Sequence, residues 1–265
     1  MQLSRASRVS FGSLTILGFA FIYLPLFVVV INSFNSSNSL SWPPKGFSTQ
    51  WWVKMFNNEG VRSAVLTSVI IALIATVIAL VLGTLAAAAL TKYDFFGKQT
   101  VSLMFVLPIA LPGIVTGIAL NNVFTSVLGG LSFFTVVAGH ATFCTVVAFN
   151  NVAARYRRLG FSLEEASADL GAEKWMTFRF VTFPLLKTAL VAAGLLSFAL
   201  SFDEIIVTTF TAGAGVQPLP IWIYENLFRP TQAPIVSAVA AALIVISIIP
   251  IYLAQRLSNT HTGLE

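Results

Sequence analysis

Six charge-poor apolar runs, separated by short polar stretches, account for most of the chain: residues 11–31, 64–90, 101–120, 133–154, 190–210 and 235–253. Crossing a bilayer as a helix takes about 20 apolar residues, so this pattern predicts six transmembrane helices. The first run follows Arg5 and Arg8. It is too long for a signal-peptide core and lacks a small-residue cleavage site, which predicts an uncleaved anchor. The third run carries Pro108 and Pro112. These prolines are read equally well as simple bends or as the broken helix that lines a transport path. In the second run, Gly83 followed by the alanines at 86–89 allows a neighbouring helix to approach closely. The expected fold class is all-α integral membrane, a single transmembrane domain over 1–265.

Composition agrees with the pattern. The 265 residues are 57% hydrophobic and 9% charged, against about 25% charged in a typical soluble domain. The mean hydropathy is +0.86. A single cysteine rules out an internal disulfide and a cysteine-cluster metal site. Two histidines, at 140 and 261, offer little imidazole chemistry. No metal and no cofactor is expected. His140 and Cys144 read as a hydrogen-bonded structural residue and a small packing residue.

The net charge of +5 belongs to loops rather than to a nucleic-acid surface. With both termini on the cytoplasmic side, that side holds Arg5, Arg8, Lys92, Lys98, Arg155, Arg157, Arg158, Lys174, Arg179, Lys187 and Arg256, eleven of the fifteen Lys and Arg residues. The positive-inside rule favours this orientation. Two outer segments stand out. Residues 32–60 combine polar residues with Trp42, Trp51 and Trp52, which suits an interfacial aromatic belt more than a substrate contact. Residues 212–234 place four prolines around an aromatic stretch that suits a short helix lying at the membrane surface or dipping into it.

The loop at 155–188 is the most informative segment. It holds ten charges, four of them acids, in a chain that otherwise avoids them. Ser162 and Glu165 have capping-box spacing, which predicts a helix starting near Leu163. Glu164 and Glu165 fall in its first turn, where the helix dipole favours acids, and Gly171 suits a left-handed cap. A second short helix is expected over 174–180, with Pro184 breaking or bending the chain. Leu163, Ala166 and Leu170 at helical spacing give the first helix an apolar stripe suited to docking on a partner.

This loop resembles the EAA loop of type I ABC importer permeases, in which Glu-Ala-Ala, three residues, Gly, nine residues and Ile-x-Leu-Pro follow one another. Here the matching positions are Glu165-Ala166-Ser167, Gly171 and Val181-Thr182-Phe183-Pro184, with both spacings kept. The resemblance implies that Glu165, Ala166 and Gly171 couple the permease to a cytoplasmic ATPase. It also implies a second permease subunit (a different chain), two ATPase subunits and an extracytoplasmic substrate-binding protein as partners in a bacterial inner membrane. ATP would be bound by the ATPase, since the chain has no Walker A pattern of its own.

Within the family the chain is most similar to the second permease of spermidine/putrescine importers, on the stretches 31–37, 140–144, 163–172 and 200–204. It departs at Gly113, where polyamine permeases usually carry an acid, so an opine or amino-acid derivative stays open as substrate. Asp203 and Glu204 lie about 20 Å along a helix that begins near Leu190, in the outer half of the bilayer. Two adjacent acids there need a compensating environment. Gly194, Ser197, Ser201, Glu204, Thr208 and Thr211 share one face of that expected helix. Ser201, Asp203 and Glu204 are therefore candidates for a cation-attracting wall of the substrate path, or for acids paired with a partner permease. An ATP-independent secondary transporter would show inverted repeats, and an intramembrane enzyme a catalytic constellation. The sequence has neither.

Overall fold

The computed structural model describes residues 5–38, 42–160 and 162–259, so His261 lies outside the described residues. The helices are α1 (Arg5–Asn32), α2 (Gln50–Asn57), α3 (Glu59–Lys92), α4 (Lys98–Ala110), α5 (Gly113–Leu128), α6 (Phe133–Leu159), α7 (Ser162–Asp169), α8 (Lys174–Thr177), α9 (Phe183–Phe202), α10 (Ile206–Thr211), α11 (Leu219–Leu227) and α12 (Ala233–Asn259). Among the described residues there is no strand, only an isolated antiparallel bridge between Asn35 and Phe47. Among the described residues, four helical stretches are long and apolar enough to cross a membrane: Ser10–Asn32, Glu59–Lys92, Phe133–Leu159 and Lys174–Phe202. The pair α4 and α5 meets the same test only as a broken unit, bent by 107°, and Ala233–Ser247 is apolar but shorter.

The chain divides into two compact units, Met1–Arg62 with Trp222–Glu265, and Ser63–Ile221. In the first, α12 packs on α1 and α2. Two of its tryptophans, Trp51 and Trp52, pack within the segment 32–60 itself. Trp51 is buried and its indole N–H donates to the Asn35 carbonyl at 2.7 Å, while Trp52 stacks on Phe34 at 5.4 Å between ring centroids. Only Trp42 is exposed. A folded loop needs internal partners for its backbone carbonyls, and Trp51 supplies one from 16 residues away.

The second unit is organised around α6, which is buried along most of its length. A stripe of small residues on α3 (Ala72, Ala75, Ala79, Gly83, Ala87) is buried, and at Gly83 the two backbones nearly touch. A Cβ there would sit 2.7 Å from Ala148 Cβ and 2.8 Å from the Phe149 amide nitrogen. Three apolar clusters follow this contact. Ile71 lies with Val136, Ala79 with Cys144 and Ala193, and Ala87 with Val152 and Leu186. Equal steps on α3 and α6 mean that these helices run parallel. The reverse order on α9 makes it antiparallel to both.

Two expected helices are interrupted. The run at 101–120 is not one span: α4 ends at Ala110 and α5 begins at Gly113. Pro112 lacks an N–H, and its ring disfavours helical geometry at Leu111, which is extended at φ −83°, ψ 145°. The run at 190–210 begins earlier than expected, at Lys174, and stops at Phe202; Asp203 caps α9 and a short α10 resumes at Ile206. Pro184 does not break the chain. A π-helical turn at Phe178–Thr182 precedes it, with the Phe183 N–H bonded to the Phe178 carbonyl, and the proline sits in the first turn of α9. Widening the turn moves the ladder past a residue that cannot donate. A short helix, α11, does fall within 212–234, with Leu219 and Trp222 buried.

Candidate functional site

Helix α7 and the turn after it are held from below and open above. Ala172 donates its N–H to Ser167 O at 3.1 Å and Gly171 to Ala168 O at 2.9 Å, the paired bonds of a Schellman cap. They require a left-handed residue, and Gly171 has φ +84°. Ser167 and Thr177 hydroxyls meet at 3.0 Å, fixing α7 against α8. The deeper anchor is Glu164. Its carboxylate is ion-paired with Lys92 at the end of α3 and accepts the Thr182 hydroxyl at 2.7 Å. Lys92 also lies 5.4 Å over the Tyr156 ring, and Arg155 Nε donates to the Leu185 carbonyl at 2.9 Å.

Every face of the loop away from these anchors is exposed. Glu165, Ala166 and Gly171 are all exposed, as are Leu163, Leu170, Trp175, Met176 and Phe180. The apolar stripe expected on α7 is therefore not used within the chain's described residues. Glu164 is the residue that sequence reasoning misses. Its first-turn position suggests only a dipole partner, and no local signal joins it to Lys92, 72 residues away.

The second locus lies where the two interrupted helices meet. Helix α10 packs against α5. A Cβ on Gly113 would lie 3.4 Å from Ile206 Cγ2, and one on Gly117 only 2.6 Å from the Phe210 ring, so the first residues on either side of the two breaks adjoin. The short α10 leaves carbonyls without intrahelical donors, and neighbours satisfy them. Asn121 donates to Phe210 O at 2.6 Å and Thr135 Oγ1 to Thr211 O at 2.7 Å. At the other end the carboxylate of Glu204, the residue before the N-cap Ile205, accepts the Val207 N–H at 2.9 Å and so satisfies one of the free amides of the first turn.

His140 on α6 spans the break in α9–α10. Its Nδ1 lies 2.7 Å from Ser201 Oγ and its Nε2 2.8 Å from Thr208 Oγ1. Thr208 spends its only proton on the Glu204 carbonyl at 2.6 Å, so it accepts from Nε2–H. In the neutral ring Nδ1 then accepts the Ser201 proton. The structural role expected of His140 is what its contacts describe. Of the three path candidates, Ser201 is buried on this histidine, Glu204 is half-buried with its carboxylate on the first turn of α10, and Asp203 is exposed. Ser197, Thr208 and Thr211 of the expected polar face are buried against α6.

Comparison with known proteins adds four findings. Residues 79–260 match the family described as binding-protein-dependent transport system inner membrane component. The chain is 35% identical over 246 residues to spermidine/putrescine transport system permease protein PotC of Haemophilus influenzae, covering 92% of this chain and 95% of that one. It is 32% identical over 253 residues to putrescine transport system permease protein PotI of Escherichia coli K12, covering 91% and 89%. A bacterial ABC transporter involved in the import of the acidic polysaccharide alginate contains a chain with the same fold, at a TM-score of 0.70 and 18% identity over 98% of this chain and 99% of that one.

Proposed function

The chain belongs to the inner membrane components of binding-protein-dependent transport systems, and from that premise we propose that it is one permease of an ATP-driven importer for a small cationic, polyamine-like solute. On this reading six segments cross the bilayer, the α4–α5 pair and α12 among them, and both termini lie in the cytoplasm. The pathway is shared with a second, different permease chain. Two cytoplasmic ATPase subunits bind and hydrolyse ATP, and an extracytoplasmic binding protein delivers the solute.

The observation that carries the coupling assignment is α7 itself. It is a capped helix with exposed Leu163 and Leu170, anchored on its inner side through Glu164 to the ends of α3 and α9. A helix so held transmits a push from an ATPase to the spans without bending. Glu165 offers a carboxylate for an arginine on that partner, Ala166 leaves room for close approach, and Gly171 sets the turn. Glu165→Ala and Gly171→Val are expected to reach the membrane but to lose ATPase association or to uncouple hydrolysis from uptake. Normal transport by both would overturn the assignment.

Substrate selectivity is assigned to the paired helix breaks. Irregular backbone at membrane depth is tolerated where it is buried or lines a cavity, and helix breaks mark binding sites in transporters. Asp203, exposed at one break, supplies negative charge for a cation; Glu204 and Ser201 shape the backbone beside it. Asp203→Asn should lower polyamine uptake with the complex intact, whereas Glu204→Gln should also weaken the first turn of α10. Normal uptake and assembly by both variants would remove the acids from the path. One observation supports a second reading, an opine or amino-acid derivative as substrate. Where polyamine permeases place an acid, Gly113 faces Ile206 side-chain carbons 3.4–3.8 Å from where its Cβ would be, so this wall carries one fewer carboxylate.

A further inference from the structure

A cleft of about 520 Å³ opens beside the ends of α3, α4 and α6, lined by Leu90, Asp94, Lys98, Gln99, Ser102, Phe149, Tyr156 and Arg157 among others. Its volume is that of a small-molecule site, and its chemistry is divided. The inner wall is apolar, built from Leu90, Phe149, Ala153 and Tyr156; the rim is polar and basic. Lys98 is shared with Asp94 at 2.8 Å, and that carboxylate points to solvent. The side chains of Arg157, Gln99 and Ser102 make no hydrogen bond or ion pair among the described residues, so three donor side chains lining the cleft are uncommitted.

The surface next to the rim decides what such a site takes. Helix α4 has no buried residue, and past Ser102 it presents Leu103, Met104 and Leu107, all exposed. Cationic donors stand where a hydrophobic span ends, and an unburied apolar strip runs away from them along the span. A phosphate group fits the rim, and hydrocarbon fits the strip. Only an amphiphile satisfies both at once.

We propose that this cleft binds the phosphate headgroup of an anionic phospholipid, with Arg157 as its principal ligand, Lys98, Gln99 and Ser102 at its sides, and an acyl chain along α4. The cleft is lined by none of residues 162–182 and by none at the helix breaks, although Tyr156 and Arg157 open the loop 155–188 and Tyr156 lies under Lys92, and it rests on the spans being membrane-embedded rather than on the transported solute. A bound lipid would bridge α4 to α6 and so brace the half of the broken pair that lies farther from α10.

The test uses the assembled transporter, extracted and exchanged into mixed micelles with phosphatidylglycerol or phosphatidylcholine, with native mass spectrometry reading lipid retained on this subunit. The wild type should retain phosphatidylglycerol at least fivefold over phosphatidylcholine. Arg157→Gln should abolish that preference, and so should Ser102→Leu, which fills the cleft without changing charge. Arg62→Gln, an exposed arginine elsewhere, should leave it intact. Retention by Ser102→Leu at the wild-type level would overturn the proposal, as would an equal loss in Arg62→Gln. Inorganic phosphate at tens of millimolar should not displace the lipid; if it does so completely, the cleft is a free-phosphate site and the lipid assignment fails.

Discussion

His140 is the residue whose removal most directly tests how the break in α9–α10 is held. Its two ring nitrogens reach Ser201 before the break and Thr208 after it, at 2.7 and 2.8 Å, and all three side chains are buried. Interhelical side-chain hydrogen bonds in membrane proteins contribute about 0.6 kcal/mol on average and up to about 1.7. Two such bonds therefore give about 1 to 3 kcal/mol. The void left by His140→Ala adds to this, so that range is a floor for the single variant. Thr208 keeps its bond to the Glu204 carbonyl, whereas the Ser201 hydroxyl loses its described side-chain partner. The assay is a pair of double-mutant cycles, His140→Ala with Ser201→Ala and His140→Ala with Thr208→Val, read by reversible unfolding in mixed micelles. Each cycle should show coupling of about 0.6 to 1.7 kcal/mol. Unrelated sites add within about 0.3–0.5 kcal/mol. Coupling to Ser201 alone would refute the reasoning, because the histidine would then merely pack on α9 instead of bridging the break.

Three other outcomes follow from particular contacts. Gly83→Val should destabilise by about 1 to 3 kcal/mol through overpacking, because its Cβ would lie 2.7 Å from Ala148 Cβ; Gly18→Ala, with nothing within 4 Å, should be neutral or stabilising in thermal unfolding. Glu164→Gln removes the Lys92 ion pair and weakens the Thr182 bond, so amide exchange across 162–182 should accelerate; Glu165→Gln, being exposed, should leave exchange unchanged. The Lys98 ammonium, by hydrogen bond and charge, holds the Asp94 carboxyl below its ordinary value of 3.8. A depressed folded-state pKa adds stability above the unfolded value that is lost as pH falls through the folded one. The small stability difference between wild type and Lys98→Gln should therefore be constant near neutrality and close below about pH 4; a difference that widened on acidification would contradict the pairing.

Apolar run length, proline position and cap chemistry are local properties, and they make several elements legible in the amino-acid sequence alone. Residues 11–31, 64–90 and 133–154 each fall within a single long helix. Gly171 takes the left-handed cap that only its backbone freedom permits cheaply, and of the run of Gly83 and the alanines at 86–89, Gly83, Ala86 and Ala87 are buried against neighbouring helices. The prolines of 101–120 announce a disturbance, and the 107° bend is its extent. What the sequence could not carry are relations between distant residues. Nothing local stops a helix at Phe202, where the chain runs on through Ile205, Ile206 and Val207. The break exists because Asn121, Thr135 and His140, from α5 and α6, satisfy the polar groups that a short α10 exposes. Glu164 has the local signature of a dipole residue, and only the fold closes Lys92 and Thr182 on it. In an apolar medium an unpaired polar group is expensive, so irregular backbone forms only where the packed tertiary structure brings it a partner, and the partners here lie dozens of residues away.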